Sequence, residues 1–449
     1  MDGGDNLYTV IEIGTENTKI LIGRQAEGNG VEVLGYAACH SNRTEDDSQP
    51  RCIRKGDPKN LQQLSENLKK IIHEVEYSAQ VNILDTKIYI GVTGSGIEIR
   101  NEETTIPIDE NRHVIVQEDE IEVQRRAREA FQTIANGICL ETYTRYFTTD
   151  SHREIFKAVG QASRKLTGAI QGIILKNEAE KNMRWIVSMA LESRLDEMPQ
   201  IHLTPLYLPL SMPYCVFESK PSDDPTLLID LGAGVTSFCL QAPAGFIHTG
   251  HLPVGCNHIE NDLMHAFKLH WSTAKSLVRK MSTDFADTEN GRVAASVVNP
   301  DDRRARMVIV ERRKGGHRDR VLPLSSVEKV VAARLTEIFQ MVQETLKANK
   351  VWKHVKHTIY LSGGGAMIPG VAELASRVLN MEVVVASPSE IFHADDELLN
   401  DPRYSVPLGL LRMAIYDNLI KKSATQGDLR DMEFVRKKLW SIFKSMLNW

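Results

Sequence analysis

The sequence predicts an α/β or α+β protein, with one device duplicated in its two halves and a separate small unit between them. Three observations carry that expectation. Apolar runs of strand length alternate with stretches of helical period along the chain. One strand–turn–strand unit occurs twice, once in each half. A third strand, residues 358–362, runs into three glycines with a helix after them.

In order, residues 7–24 read as two short strands around a turn, with Val10, Ile11 and Ile13 before it and Ile20, Leu21 and Ile22 after it. Residues 41–50 are polar without apolar period, hence a surface loop. Leu61, Leu64, Leu68, Ile71, Ile72 and Val75 recur at helical spacing. The run Ile88-Tyr89-Ile90-Gly91-Val92 is a strand ending in the turn Thr93-Gly94-Ser95-Gly96. Residues 97–168 read as a separate small unit of strands and one charged helix around 118–135, and a new strand is expected from Ala169. A helix follows near 182–193, strands dominate 226–253, and helical pattern returns at 259–281 and 326–349. Residues 421–431 read as a polar linker before a last amphipathic stretch.

The duplicated unit is Glu12-Ile13-Gly14-Thr15-Glu16-Asn17-Thr18 in the first half and Asp230-Leu231-Gly232-Ala233-Gly234-Val235-Thr236 in the second. Each reads acid, aliphatic, Gly, then Thr four residues on. Glycines admit close backbone approach and positive φ, and successive turn amides form a concavity for anions. Two facing turns would clamp a polyphosphate. Glu12 and Asp230 repel phosphate, but they can hold a hydrated Mg²⁺ whose waters bridge to it. Lys19 could reach a phosphate as a point charge. The glycine run Gly363-Gly364-Gly365 would let backbone lie flat against an adenosine near a helix N-terminus. The bland alternative is two unrelated hairpins and a tight strand-to-helix turn.

The 449 residues carry 54 Lys+Arg against 59 Asp+Glu, a net charge of -5, so nucleic acid is not an expected partner. The acidic start, Met1-Asp2-Gly3-Gly4-Asp5, has no apolar core of a secretory signal, and no 18-residue apolar run suggests a transmembrane helix. The six cysteines include no C-x-x-C pair, which favours reduced structural thiols over a zinc or redox site.

The two turns and Gly363–Gly365 resemble the actin–Hsp70–sugar kinase superfamily. Within it the chain resembles the FtsA family of bacterial actin-like cell-division proteins. The resemblance rests on Ile53-Arg54-Lys55-Gly56, Leu252-Pro253-Val254-Gly255-Cys256-Asn257-His258-Ile259, residues 361–370 and residues 404–411, and it covers about 7–449. It implies an actin-like (ribonuclease H-like) two-lobed ATPase fold with an inserted small α+β subdomain. The first lobe would take 1–92 and 169–225, the insertion 93–168, and the second lobe 226–258 and 327–418. An outer subdomain would take 259–326, a linker 419–431 and a membrane-targeting helix 432–449. Nucleotide contacts would fall on Gly14, Thr15, Asn17 and Lys19, on Asp230, Gly232, Ala233, Gly234 and Thr236, on Gly255 and Asn257, and on Gly363, Gly364 and Gly365. Arg334 and Glu337 match the family's R-x-x-E helix; a solvated ion pair one helical turn apart is the alternative. ATP and Mg²⁺ are the implied cofactors. The stretch from Thr273 has Lys275 and Val278 where the family often has Glu and Lys. The slot of a water-activating carboxylate reads Thr204-Pro205, so slow or negligible hydrolysis is expected.

Near the C-terminus Val435, Leu439, Ile442, Met446 and Trp449 recur at spacings of 4, 3, 4 and 3, widened by Trp440, Phe443 and Leu447. Lys437, Lys438 and Lys444 oppose that face, with Arg436 at its boundary. A basic helix with aromatic residues on its apolar side suits anionic membrane lipids; docking on the protein's own core or on a partner is the alternative. Arg303, Arg304, Arg312 and Arg313 lie in a basic strand region that either blocks edge pairing or docks an acidic peptide. By resemblance that peptide would be the C-terminal tail of the tubulin-like FtsZ. Other expected partners are further division proteins and copies of the chain in a head-to-tail filament. The protein would sit peripherally on the cytoplasmic side of the bacterial inner membrane at the division site. A small-molecule kinase of the superfamily and a pilus-assembly scaffold are the competing readings.

Overall fold

The structure is a computed structural model that describes residues 6–27, 29–41, 52–108, 114–134, 136–191, 202–218, 224–242, 245–283, 307–311, 320–356 and 358–425. The first lobe opens with β1 (Leu7–Ile13), β2 (Asn17–Gln25) and β3 (Val31–His40), an antiparallel meander. The helix α1 (Leu61–Ala79) follows. Its start is set by Asn60, whose side chain accepts the Gln63 N–H at 3.1 Å, and its end by Gln80 in the left-handed region. Leu64, Leu68, Ile71, Ile72 and Val75 form its buried stripe. Strand β4 (Lys87–Val92) then pairs parallel to β1, placing Gly91 opposite Glu12.

The inserted unit comprises β5 (Ile97–Pro107), α2 (Gln117–Ile134), β6 (Gly137–Thr148) and β7 (Lys165–Lys176). Val123, Ala127 and Phe131 of α2 pack with Ile106, Phe147, Leu166, Ile170 and Ile174 of the sheet in a core of their own. The sequence reading starts a new first-lobe strand at Ala169. Instead, β7 is one continuous strand paired with β5 along its length from Lys165 to Leu175. The run of inward apolar residues simply carries past the expected boundary.

The chain returns through α3 (Asn177–Leu191) and β8 (Leu203–Tyr207), which lies parallel to β4. The second lobe repeats the plan: β9 (Thr226–Leu231), β10 (Thr236–Ala242) and β11 (Gly245–Leu252) form an antiparallel meander. After α4 (Asn257–Phe267), α5 (Trp271–Thr283) and α6 (Leu324–Ala348), β12 (Ile359–Ser362) adds parallel to β9. Beyond α7 (Val371–Leu379), β13 (Val383–Val385) adds parallel to β12. The orders β3-β2-β1-β4-β8 and β11-β10-β9-β12-β13 are therefore the same sheet made twice.

The last elements depart from the expectation that 327–418 stays in the second lobe. Strand β14 (Phe392–His393) joins the first sheet beside β3, and α8 (Ser405–Thr425) buries Leu408, Leu410, Leu411, Ala414 and Ile415 in the first lobe's core. The helix also runs to Thr425, through the first part of the expected linker. Among the described residues no helix is long and apolar enough to cross a membrane.

A polar knot ties the insertion to the second lobe. Gln171 of β7 is fully buried. Its Oε1 accepts the Thr249 N–H at 3.0 Å and the Tyr143 hydroxyl; its Nε2 donates to Asn101 Oδ1 at 2.8 Å and to His248 Nδ1 at 3.0 Å. All four capacities of the amide are used. His248 accepts on Nδ1 and is therefore neutral; burial, helped by the Arg145 charge, holds its pKa down to about 3. The unfolded chain takes up a proton near pH 6.5 and the folded chain does not, so stability falls as pH drops from 6.5 toward 3. His248→Gln is expected to remove about 2 kcal/mol of the stability difference between pH 6.5 and pH 5. Denaturant melts at the two pH values check it, and equal acid sensitivity in both proteins contradicts it.

Candidate functional site

The two duplicated turns have the same geometry. Gly14 N–H donates to Asn17 O at 3.0 Å, and Gly232 N–H donates to Val235 O at 3.1 Å. A Cβ on Gly14 would lie 2.8 Å from Asn17 O, and on Gly232 2.6 Å from Val235 O. Close approach across the turn therefore demands glycine there. Positive φ does not: neither residue is in that region. The turns face each other, because a Cβ on Gly234 would fall 2.5 Å from Thr15 Oγ1. The hairpin residue Gly56 donates its N–H to the same Thr15 hydroxyl at 3.2 Å.

Between the lobes lies a cleft of about 460 Å³. It is lined by Glu12, Gly14, Thr15, Asn17 and Lys19 from the first turn and by Asp230, Gly232, Ala233 and Gly234 from the second. Asn257 and Gly363–Gly365 complete the part expected from sequence. Asp230 sits where β9 ends, and Ser362 Oγ donates to its Oδ1 at 3.3 Å. Desolvation first, then the nearby Glu12 charge, pushes the Asp230 pKa up to about 7, against the pull of Lys19. Lys19 Nζ bonds Glu12 Oε2 at 2.8 Å and the Arg403 carbonyl at 2.7 Å. The lysine is thus committed to the first acid and to the chain beside it, a use that the sequence reading did not foresee.

Gly363 has φ +85°, and a Cβ there would lie 2.5 Å from Asp230 Oδ1 and 2.8 Å from Leu231 O. Only glycine fits this junction of β12 with the second turn. Gly364 and Gly365 continue the wall.

Several features fit a polyphosphate held through a divalent cation. The Ala233 and Gly234 amides have no partner among the described residues. The Thr93 hydroxyl on the cleft wall is buried without a partner among them. Four carboxylates (Glu12, Glu16, Asp230, Glu260) line the cleft with three basic side chains (Lys19, Arg279, Arg403). Each of the three is already in an ion pair, with Glu12, Glu16 and Asp401 respectively. Among the described lining residues none of these three cations is uncommitted, so a divalent metal would have to offset much of a polyphosphate's charge. Among the described residues no group of three or more His, Cys, Asp or Glu could hold a metal ion alone. Glu12 and Asp230, with water and phosphate oxygens as further ligands, match a hydrated Mg²⁺.

Some expected contacts lie elsewhere. Thr236 is fully buried and its hydroxyl donates to Val254 O at 2.8 Å; its repeat partner Thr18 bonds Ser41 at 2.8 Å. The repeated threonine is a fastener inside each lobe, not a phosphate ligand. Gly255 lies behind the second turn, where a Cβ would meet Gly232 O at 2.4 Å. Cys256 and Asn257 donate their N–H groups to Gly232 O and Ala233 O, so the start of α4 braces the turn. Arg334 bonds Asp262 of α4 at 2.6 and 2.9 Å and Glu337 at 2.5 Å, outside the cleft. Arg334 pins α6 to α4 through Asp262, and Glu337 pairs with it from the same helix. Thr204 lies mid-strand opposite Tyr89, and it is Leu208, Pro209 and Met212 that border the cleft beyond β8. Arg303, Arg304, Arg312, Arg313 and the residues 432–449 lie outside the described residues.

The sequence reading missed Thr93, Glu16, Arg279 and Arg403 as cleft residues. Thr93 had a signal: it ends a central parallel strand, where ligands of open α/β sheets gather.

Twin sheets of one topology, meeting at paired turns across a cleft, define an actin-like protein. The solved PilM–PilN type IV pilus biogenesis complex shares the fold with TM-score 0.56 and 16% identity, over 92% of this chain and 98% of that one. The family described as cell division protein FtsA matches residues 227–409. Cell division protein FtsA of Escherichia coli (strain K12) is 23% identical over 450 residues, covering 99% of this chain and 97% of that protein. That of Bacillus subtilis (strain 168) is 22% identical over 415 residues, covering 91% and 84%. Over nearly its whole length the chain is similar to cell division protein FtsA, and the family model matches most of its second half.

Proposed function

We propose that the chain binds ATP with Mg²⁺ between its lobes and stacks head to tail with copies of itself. It tethers FtsZ filaments to the inner face of the cytoplasmic membrane, where other division proteins gather. The observation that carries the nucleotide part is the pair of facing turns, each following an acid, with Gly234 against Thr15. The turn amides receive phosphate oxygens, Glu12 and Asp230 orient the hydrated metal, and Gly363–Gly365 back the adenosine. Bound Mg²⁺ supplies charge neutralisation. Among the described residues, those that border the cleft past the end of β8, Leu208, Pro209 and Met212, carry no group that takes a proton from water. Nucleotide acts by favouring one arrangement of the lobes over another, with at most slow hydrolysis.

The membrane part rests on the amphipathic pattern of 432–449, and the FtsZ-tail part on Arg303, Arg304, Arg312 and Arg313, with the similarity to FtsA behind both. Co-sedimentation tests the whole reading. The full chain with ATP and Mg²⁺ is expected to pellet with phosphatidylglycerol liposomes and to carry FtsZ with it. The chain lacking 432–449 stays in the supernatant, and so does FtsZ. Pelleting unaffected by the truncation removes the tether, and no ATP affinity in calorimetry removes the nucleotide reading.

A further inference from the structure

The first turn carries a side chain that the phosphate reading does not use. Glu16 sits between Thr15 and Asn17 on the cleft wall, and its backbone carbonyl accepts the Ser41 N–H at 2.9 Å, which fixes the turn. Its carboxylate reaches across to the second lobe. Lys275 Nζ lies 2.8 Å from Oε1, and Arg279 Nη2 lies 2.8 Å from the same oxygen. Both cations belong to α5, four residues apart and so on one face of the helix. His40 Nδ1, at the end of β3, stands 3.6 Å from that oxygen.

The contact is backed on the second-lobe side. The Lys275 ammonium sits 4.7 Å from the ring centre of Trp271, one turn earlier on α5. Trp271 Nε1 in turn donates to Glu260 Oε2 at 2.9 Å, and Glu260 is a buried residue of the cleft lining. The Glu16 carboxylate is held below its ordinary range: burial opposes ionisation, and Lys275 and Arg279 overcome it. Two cations against one carboxylate, partly shielded from water, make a directional bond between the lobes.

We propose that Glu16 with Lys275 and Arg279 is an electrostatic latch across the mouth of the cleft, and that its opening limits nucleotide exchange. The inference rests on the nucleotide reading above for its ligand, but the latch itself is a property of the protein alone. Closing it draws α5 onto the first turn, so a molecule seated on the turns leaves only after the ion pairs part. Salt weakens such pairs, so the release rate carries a salt dependence set by these three side chains.

Two readouts on the full chain test this. The first is hydrogen–deuterium exchange of residues 14–17 and 271–283 in nucleotide-free protein. The second is release of a preloaded fluorescent ATP analogue with Mg²⁺ at 50 and 500 mM salt. Glu16→Gln and the double variant Lys275→Gln/Arg279→Gln remove opposite halves of one contact. Each is expected to raise exchange in both segments, to speed release roughly three- to thirty-fold, and to lose the salt dependence. The triple variant should add nothing further, because the three side chains form one unit. Unchanged deuterium uptake in the variants, with normal retention of the analogue by the unaltered protein, overturns the latch alone. Failure of the unaltered protein to retain the analogue overturns the nucleotide reading, and the exchange role goes with it.

Discussion

Gly232→Val is expected to abolish nucleotide binding while leaving most of the fold intact. The added Cβ would lie 2.6 Å from the Val235 carbonyl oxygen, within the same turn. That neighbour is backbone, closed by a hydrogen bond of 3.1 Å, so it cannot step aside without opening the turn. Opening displaces the Ala233 and Gly234 amides and pulls Gly232 O away from the Cys256 N–H that braces it. The two larger sheets and the core of the second lobe are not touched. A loss of roughly 100-fold or more in affinity for ATP with Mg²⁺, about 2.7 kcal/mol, is the expected size. Calorimetry gives the affinity, and far-ultraviolet circular dichroism checks that secondary structure persists. Affinity within threefold of the unaltered protein, on a folded sample, would show that the second turn does not cradle the ligand.

Arg412→Ala carries the largest expected cost in stability, about 3 kcal/mol. Arg412 of α8 is 2% exposed. It pairs with no carboxylate among the bonds its guanidinium makes: Nη1 donates to Tyr214 O at 2.9 Å and Phe217 O at 2.5 Å, and Nη2 donates to Glu218 O. The side chain thus caps the carbonyl end of the short helix Met212–Val216 and packs 5.5 Å from the Tyr416 ring centre. Truncation leaves three carbonyls without their donor and a cavity where the stem lay. Met212 borders the cleft, so the loss reaches the site as well. Urea melts that resolve the first lobe measure the effect, with the m-value held constant as a check. A change under 1 kcal/mol would mean that water replaces the guanidinium at all three carbonyls.

The paired turns were legible because their chemistry is local. An acid, a glycine three residues from the carbonyl it approaches, and strands on both sides all fall within a dozen consecutive residues, twice. The threonine of the repeat misled for the same reason. Its recurrence is real, but Thr18 and Thr236 each fasten strands inside their own lobe. A repeated residue reports a repeated role, and periodicity alone does not distinguish a structural role from a ligand contact. The R-x-x-E pair failed likewise, since Asp262, which takes Arg334 out of the cleft, lies 72 residues away in sequence.

The local order of residues settles that this chain makes two sheets of one plan, each with an acid and a glycine turn at its edge, because those hydrogen bonds close within four residues. Folding at long range settles which side chains are spent and which remain at the cleft. Lys19 meets a carbonyl 384 positions away, Glu16 meets an arginine 263 positions away, and α8 crosses back to cover the first sheet. A charged side chain takes its partner from whatever the packed lobes bring near it, and that neighbourhood is assembled only when separate apolar surfaces have been buried together.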